Sequence, residues 1–336
     1  MTNLDDNYKS YVQYLNDAAP KFKDYLIQHL KNARSCYEDN KHKDVDKYLY
    51  QPLIEFSKNA GKMHRPLTCL AAFNALKTNQ STEVVLPVAA AIEHFQSAAL
   101  IHDDIADGGE IRRSKPCLHK QIGVGLAINA GDFGLAMVIP SVIRELENLN
   151  VAEAKILQIV DQLSLMEYMT IEGQAMDLGW ARDGQFDISI ADYCVMATKK
   201  SAYYSVSVPC VLGAICADAS TETISAIQDF GLNLGLAFQI QDDLLNLIDE
   251  GKSTKDFLND ITEGKRTLVV CKTLELSKDK DELIDILKSC TKDAAKLKRA
   301  VEIMQECGAI DFAKDLAKNL SQQSREILDK ALPSSN

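Results

Sequence analysis

The stretch Val84 to Asp107, VVLPVAAAIEHFQSAALIHDDIAD, decides the fold. Val88, Ala91, Phe95, Ala98, Ala99 and His102 fall on one side of a helical wheel, and no turn dipeptide interrupts the run until Gly108-Gly109 ends it. The reading is a long, largely apolar helix that finishes in three aspartates. Asp103 and Asp107 stand one turn apart on the same face, with Asp104 beside them. Like charges so placed repel. A helix end meeting solvent would explain an isolated pair, but the apolar Leu100-Ile101 just before it makes simple exposure uncomfortable. A divalent cation removes the repulsion, and Mg²⁺ commonly takes one or two carboxylates and completes its shell with water and phosphate oxygens.

Outward from this helix, the segment Ile224 to Ile248 repeats the arrangement. Gly235, Gln239, Asp242 and Asn246 lie within about 60° of one another at 100° per residue. Asp243 follows Asp242, and Gly235 admits close approach of a neighbour. Two apolar helices that bring aspartates to one cavity suit a multinuclear metal site for a diphosphate. A third helical pattern runs from Lys155 to Met176. Eight Pro and 16 Gly in 336 residues are too few turn formers for an all-β chain. Connections such as Asp183-Gly184 and Glu250-Gly251-Lys252-Ser253-Thr254 are short, and neither repeats nor linkers mark a boundary. The expectation is one all-α domain over 1–336. Its motif-bearing core spans about 50–275, with peripheral helices at both ends.

With 48 Asp and Glu against 37 Lys and Arg, the net charge of −11 argues against binding nucleic acid or anionic lipid. It does not exclude small anions, because clustered carboxylates holding cations reverse the local field. The nine cysteines, at 36, 69, 117, 194, 210, 216, 271, 290 and 307, form no CxxC pair. The acidic start, Met1 to Asp6, lacks a secretory signal's basic and apolar regions. The uncharged run Ser201–Ala217 is broken by Pro209 and Gly213 and falls short of the about 20 apolar residues a span needs. A cytoplasmic protein without a membrane span is expected.

An anionic substrate also needs cations from the protein. Gly61-Lys62-Met63-His64-Arg65-Pro66 places Lys and Arg three apart, Arg112-Arg113 follows the first aspartate motif, Lys199-Lys200 opens an apolar segment, and Lys265 lies in Asp260 to Thr267. Each alone reads as a surface feature; four interleaved with two acidic motifs point to anion handling.

These landmarks resemble the trans-isoprenyl diphosphate synthases, the farnesyl and geranylgeranyl diphosphate synthase family. The matching motifs are GKMHRP at 61–66, EHFQ at 93–96, HDDIAD at 102–107, RRSKP at 112–116, GQAMD at 173–177, KSAYYSVSVP at 200–209, FQIQDDLLN at 238–246 and DITEGKRT at 260–267. The resemblance implies an isoprenoid synthase-type helical bundle around a central cavity, usually a homodimer, that uses three Mg²⁺ ions to join isopentenyl diphosphate head-to-tail to an allylic diphosphate. It implies that Lys62, Arg65, Gln96 and Arg113 hold isopentenyl diphosphate, and that Arg112, Lys200 and Lys265 hold the allylic diphosphate. Asp103, Asp107 and Asp242 match metal ligands, and Asp104 and Asp243 complete the two motifs. Gln174, Asp177 and Gln239 match polar cavity positions, and Ser201 stands where many relatives have Thr. Asn246 departs from the more usual Asp and removes one charge.

Farnesyl-producing relatives often carry aromatic residues where this chain has Ala98 and Ala99, so the resemblance implies a product longer than C15. Phe95 lies about 12 Å below Asp103 and is the first bulky candidate floor. The expected product is geranylgeranyl diphosphate, C20, with C15 or C25 and longer as neighbouring outcomes.

Three rival readings compete with this one. His102-Asp103 superficially matches an HD-type metal phosphohydrolase, but that leaves the second aspartate motif without a task. A class I terpene cyclase would need no second diphosphate pocket. In a non-catalytic subunit both metal motifs would be expected to decay.

Overall fold

A computed structural model describes residues 2–33, 42–77, 81–247 and 258–332. Cys36 and the connection 250–254 lie outside the described residues. Apart from one small hairpin, every regular element among the described residues is helical. The longer elements are α1 (Thr2–Ala33), α2 (Gln51–Lys58), α3 (His64–Leu76), α4 (Val85–Ala106), the hairpin β1 (Ile111–Arg112) and β2 (Lys115–Pro116), α5 (Val124–Ala136), α6 (Val138–Asn148) and α7 (Glu153–Arg182). They continue with α8 (Ile190–Ala197), the π-helical segment Thr198–Ser207, α9 (Val208–Cys216), α10 (Thr221–Leu247), α11 (Leu268–Leu276), α12 (Lys280–Lys288), α13 (Ala294–Glu306) and α14 (Ala309–Ala331). They form two compact units: Met1–Ser164 with Pro209–Ser220, and Leu165–Val208 with Thr221–Asn336.

In the first unit α4 is the core helix. From Pro87 to Ala98 every residue is buried, which is why its sequence is apolar around most of its circumference. Pro87 is tolerated because the first turn of a helix has no intrahelical acceptor for its N–H. Small residues let α5 lie against α4: a Cβ on Gly134 would come 3.0 Å from the Cβ of Ala98. One stretch, Val124–Asn148, is apolar and long enough by composition to cross a membrane, a feature absent from the sequence expectation. Here it is the pair α5 and α6, joined at Met137, with Asp132 paired to His102 and Val142 and Leu146 buried. A core helix pair of a soluble protein has the same composition. The eight cysteines among the described residues are unbridged.

In the second unit α10 packs on α14 and on the π-helical segment. Ile240, Leu244, Leu268, Leu283 and Ile303 form its core, and the C-terminal helix contributes the buried Ala309, Ile310 and Ala313. The charged side of α13 carries Arg299, paired with Asp279, Glu282 and Glu306.

Glu167 on α7 has a buried Oε1 without a hydrogen-bond partner among the described residues, and burial raises its carboxyl to about 7. Between its ordinary value of 4.5 and about 7 the folded chain therefore holds a proton that the unfolded chain has released. Stability must fall as pH rises through that window. Glu167→Gln is expected to leave Tm unchanged at pH 4.5 and to raise it at pH 8. An equal shift at both values would contradict desolvation as the cause.

Candidate active site

The first unit carries the first aspartate motif and most of the predicted cations. The C-terminal turn of α4 presents Asp103, with about a third of its side chain exposed, and buries Asp104. The β1–β2 hairpin turns the chain back so that Arg112 donates through Nε to Asp104 Oδ1 at 2.8 Å and through Nη2 to the same oxygen. Asp103 Oδ2 lies 3.7 Å from that Nη2. The middle aspartate is thus committed to an arginine, while Asp103 and Asp107 bracket it on the helix. His102 turns elsewhere: its Nε2 is 3.3 Å from Asp132 Oδ1 and 3.3 Å from the Ile128 carbonyl. Gly131 makes room for the ring, since a Cβ there would fall 2.3 Å from Nε2. That nitrogen serves α5, which removes the feature on which the HD-type reading rested.

The positions expected to hold isopentenyl diphosphate also lie in this unit. Met63, between Lys62 and Arg65, is buried and left-handed at φ 56°. A non-glycine residue held there is strained, and such strain concentrates at functional sites. Arg113 adopts φ 54° at the hairpin tip. Gln96 is 5 % exposed, and its Oε1 has no hydrogen-bond partner among the described residues. Beside them Glu93 is 3 % exposed. Burial pushes its carboxyl up to about 7, and the positive charges of Arg113 and Arg65 oppose that rise. Sequence reasoning passed over Glu93, although an acid inside Ala91-Ile92-Glu93-His94 was itself a signal.

The second unit holds the second motif and the remaining cations. Here too the inner aspartate is committed: Tyr193 donates its hydroxyl to Asp243 Oδ2 at 2.7 Å, and Gln239 Nε2 donates to Oδ1 at 2.6 Å. Ser201 donates to Gln239 Oε1 at 2.5 Å, so Ser201, Gln239, Asp243 and Tyr193 form one chain of hydrogen bonds. Burial, with Asp260 and Asp242 nearby, pushes Asp243 up to about 8. Asp242, the predicted ligand, is only half-buried one position earlier on α10. Tyr193 was not predicted; its only signal is its place on α8, about two helical turns before Lys200. Asn246 accepts the backbone N–H of Asp260 at 3.2 Å. The missing Asp is therefore replaced by an amide that fastens the turn leading to Lys265.

Lys200 and Ser201 sit in the π-helical segment, a geometry frequent at functional sites. Two glycines seat it. A Cβ on Gly173 would lie 2.2 Å from the backbone nitrogen of Lys200, and one on Gly235 would lie 2.6 Å from the Cα of Ala202. The close approach expected at Gly235 is thus present. Gln174 follows Gly173 on α7, and Lys200 Nζ pairs with the buried Asp177 at 2.5 Å. Lys265 Nζ lies 2.5 Å from Glu263 Oε2 and 3.8 Å from Asp260 Oδ1. Next to it Arg266 is buried and donates to the carbonyls of Gln185, Gly264 and Trp180. Its guanidinium lies 3.8 Å over the Phe186 ring, so the loop carrying Lys265 is locked to the end of α7.

A common arrangement emerges. Each cation predicted for the allylic diphosphate rests on a carboxylate of its own unit: Arg112 on Asp104, Lys200 on Asp177, Lys265 on Glu263. Among the described residues no three His, Cys, Asp or Glu side chains form a closed metal cage. Carboxylates on single helix faces, all with oxygen donors, instead suit Mg²⁺, which keeps waters and substrate phosphates in its shell.

The chain-length positions differ from one another. Ala98 is fully buried against α5, Phe95 is 1 % exposed, and Ala99 is only half-buried.

Comparison with known proteins identifies the family. The family profile for polyprenyl synthetase matches residues 46–304. A short chain isoprenyl diphosphate synthase of Methanothermobacter thermautotrophicus is 36% identical over 272 residues, covering 80% of each chain. The crystal structure of geranylgeranyl pyrophosphate synthetase from Pyrococcus horikoshii Ot3 superposes with a TM-score of 0.84 at 27% identity, covering 98% of this chain and 94% of that one. Geranylgeranyl pyrophosphate synthase from Corynebacterium glutamicum, solved with isoprenyl diphosphate and magnesium, superposes with a TM-score of 0.83 at 25% identity, covering 94% and 93%. With the profile spanning most of the chain and the motifs in order along both units, the chain belongs to the polyprenyl synthetase family.

Proposed function

We propose that this chain is a Mg²⁺-dependent trans-prenyltransferase that joins isopentenyl diphosphate to an allylic diphosphate and releases geranylgeranyl diphosphate, C20. What supports the reading is that the chain supplies two sets of predicted diphosphate-binding groups. Lys62, Arg65, Gln96 and Arg113 belong to the first unit, where Arg65 and Arg113 act on the buried Glu93; Arg112 of the first unit and Lys200 and Lys265 of the second, each resting on an acid of its own unit, are the other. A terpene cyclase needs only the second set.

Bound magnesium, three ions by family resemblance and held by Asp103, Asp107 and Asp242, would supply charge neutralisation for the allylic diphosphate. Arg112, Lys200 and Lys265 donate hydrogen bonds to its oxygens, and these strengthen as the allylic C–O bond breaks and negative charge collects there. Lys62, Arg65, Gln96 and Arg113 orient isopentenyl diphosphate so that its terminal alkene carbon attacks the allylic C1. A new C–C bond forms and leaves the positive charge on C3 of the isopentenyl unit; C2 then gives up a proton to an oxygen of the departing diphosphate, and the C2=C3 double bond of the product results. The alanine-rich face of α4, with Ala99 and Phe95, supplies an apolar path for the growing chain and keeps water from the cation. An exposed apolar stripe on α7, Leu157, Tyr168, Ile171 and Leu178, supports the homodimer implied by resemblance. A cytoplasmic location is part of the proposal, in keeping with cysteines that are unbridged among the described residues.

The test is incubation of purified protein with Mg²⁺, isopentenyl diphosphate and each allylic diphosphate in turn, with product length read by mass. A cyclised hydrocarbon, or no elongation with any starter, would overturn the proposal. Phe95→Ala is expected to shift product beyond C20, and Ala99→Phe to shorten it towards C15. Ala98→Phe is expected mainly to destabilise, because Gly134 leaves no space behind Ala98. Unchanged product length in both Phe95→Ala and Ala99→Phe would remove α4 as the ruler.

A further inference from the structure

Arg113 reaches its position through an unfavourable turn. Arg112 pairs with Lys115 across the hairpin, leaving Arg113 and Ser114 as a two-residue loop with φ of 54° and 63°. Two left-handed central residues define a type I′ turn, which ordinarily selects Asn-Gly. This chain places Arg-Ser there, so something outside the hairpin must hold it.

Asn59 does so from both directions. Its side-chain Nδ2 donates to the carbonyl of Arg113 at 3.3 Å, and Arg113 Nη1 donates to the carbonyl of Asn59 at 3.2 Å. The first bond fixes the backbone at the strained residue; the second fixes the guanidinium. Asn59 is itself anchored as the C-cap of α2, its N–H bonded to the carbonyls of Glu55 at 3.3 Å and Phe56 at 3.0 Å. Its carbonyl therefore sits at the negative end of a helix, which favours a guanidinium. Two residues on, Gly61 lies against the same side chain: a Cβ there would stand in ordinary contact, 3.4 Å from Arg113 Nε and 3.5 Å from Cζ. The loop that carries Lys62 and the turn that carries Arg113 are thus joined through one asparagine.

We infer that Asn59 is a positioning residue that presents Arg113 to the diphosphate of isopentenyl diphosphate. The inference rests on the binding role proposed above for Arg113. Lys62 follows Asn59 by three residues, so the clamp also sets the spacing between two cations of the same pocket. It touches neither Arg112 nor the aspartates directly, so its effect falls on one substrate.

Steady-state kinetics of the full chain, varying each substrate separately, test this. Asn59→Ala deletes the donor and keeps the carbonyl. The KM for isopentenyl diphosphate should rise about tenfold, the order expected for one lost hydrogen bond, with kcat and the allylic KM within twofold of the parent. Asn59→Asp should raise it further, because a carboxylate cannot donate to the Arg113 carbonyl and competes with diphosphate for the guanidinium. Adding Ser114→Gly to Asn59→Ala should restore most of the loss, since glycine relieves the left-handed turn without touching substrate. An unchanged KM for isopentenyl diphosphate in both Asn59 variants overturns the inference, as does an equal rise in both KM values, which is what general loosening would produce. Arg113→Ala separates the two claims. If it leaves that KM unchanged, the role of Arg113 fails; if it raises KM while Asn59→Ala does not, only the role of Asn59 fails.

Discussion

Asp103→Asn is expected to lower kcat/KM by about 10³-fold, the scale seen when one preorganised charge-stabilising group is removed, while Tm stays within a few degrees of the parent. Asp103 lies in the last turn of α4 with about a third of its side chain exposed, and its Oδ2 is 3.7 Å from Arg112 Nη2. Exchange of a partly exposed helix-end residue for a near-isostere shifts stability little. Asn keeps the size and one oxygen but loses the charge a divalent ion needs. Circular dichroism melting and kinetics at saturating Mg²⁺ check the two halves of the expectation. A loss of less than tenfold would remove Asp103 from the metal site, and a large fall in Tm would show a structural role. Asp104→Asn is the contrast: it loosens Arg112 from its partner and should disturb the hairpin as well as the rate.

Gly173→Ala has the second large effect. The added Cβ would stand 2.2 Å from the nitrogen and 2.6 Å from the Cα of Lys200, atoms of a backbone that no rotamer change can move aside. Either α7 or the π-helical segment must shift. Overpacking of this kind costs about 1–3 kcal/mol and occasionally more. The displaced residue is the lysine predicted to hold the allylic diphosphate, and a shift of about 1 Å in such a group can cost 10²-fold in rate. Tm and the KM for the allylic substrate should therefore both worsen. If they do not, the contact between α7 and the π-helical segment is softer than its geometry indicates. Gly179, on the same helix, has nothing within 4 Å of the corresponding position, and Gly179→Ala serves as the control that should leave the KM alone and hold or raise Tm.

The long helices were legible because burial imposes a period. The period over Val84 to Asp107 predicts a helix and α4 runs Val85–Ala106; that over Ile224 to Ile248 does likewise and α10 runs Thr221–Leu247. The aspartates, lysines and arginines were legible as chemistry because acids and bases at such spacings in apolar surroundings have few other uses. What lay beneath them was not. Arg113-Ser114 carries no turn signature, since its left-handed backbone is imposed by Asn59, distant in sequence. The π-helical segment has a helix-like composition, and its geometry depends on glycines in two other helices. Ala98 and Ala99 look equivalent as letters, yet Gly134 backs one and not the other. The commitments of Asp104 to Arg112 and of Asp243 to Tyr193 are likewise tertiary facts. They also explain how an acidic chain handles anions: many of its acids near the site already have a cation or a hydroxyl of their own.

The division of the chain has a practical meaning for anyone who would splice this enzyme to a relative. The first unit is not a prefix: it stops at Ser164, inside α7, and resumes at Pro209–Ser220. A crossover at any single point between these therefore gives a hybrid whose first unit comes from two parents, with Gly213 of one laid on Cys69 of the other. A Cβ at Gly213 would lie 2.3 Å from the Cys69 carbonyl, so that seam tolerates no larger residue. Recombination that respects the fold needs at least three junctions, and residues 209–220 should travel with the N-terminal half.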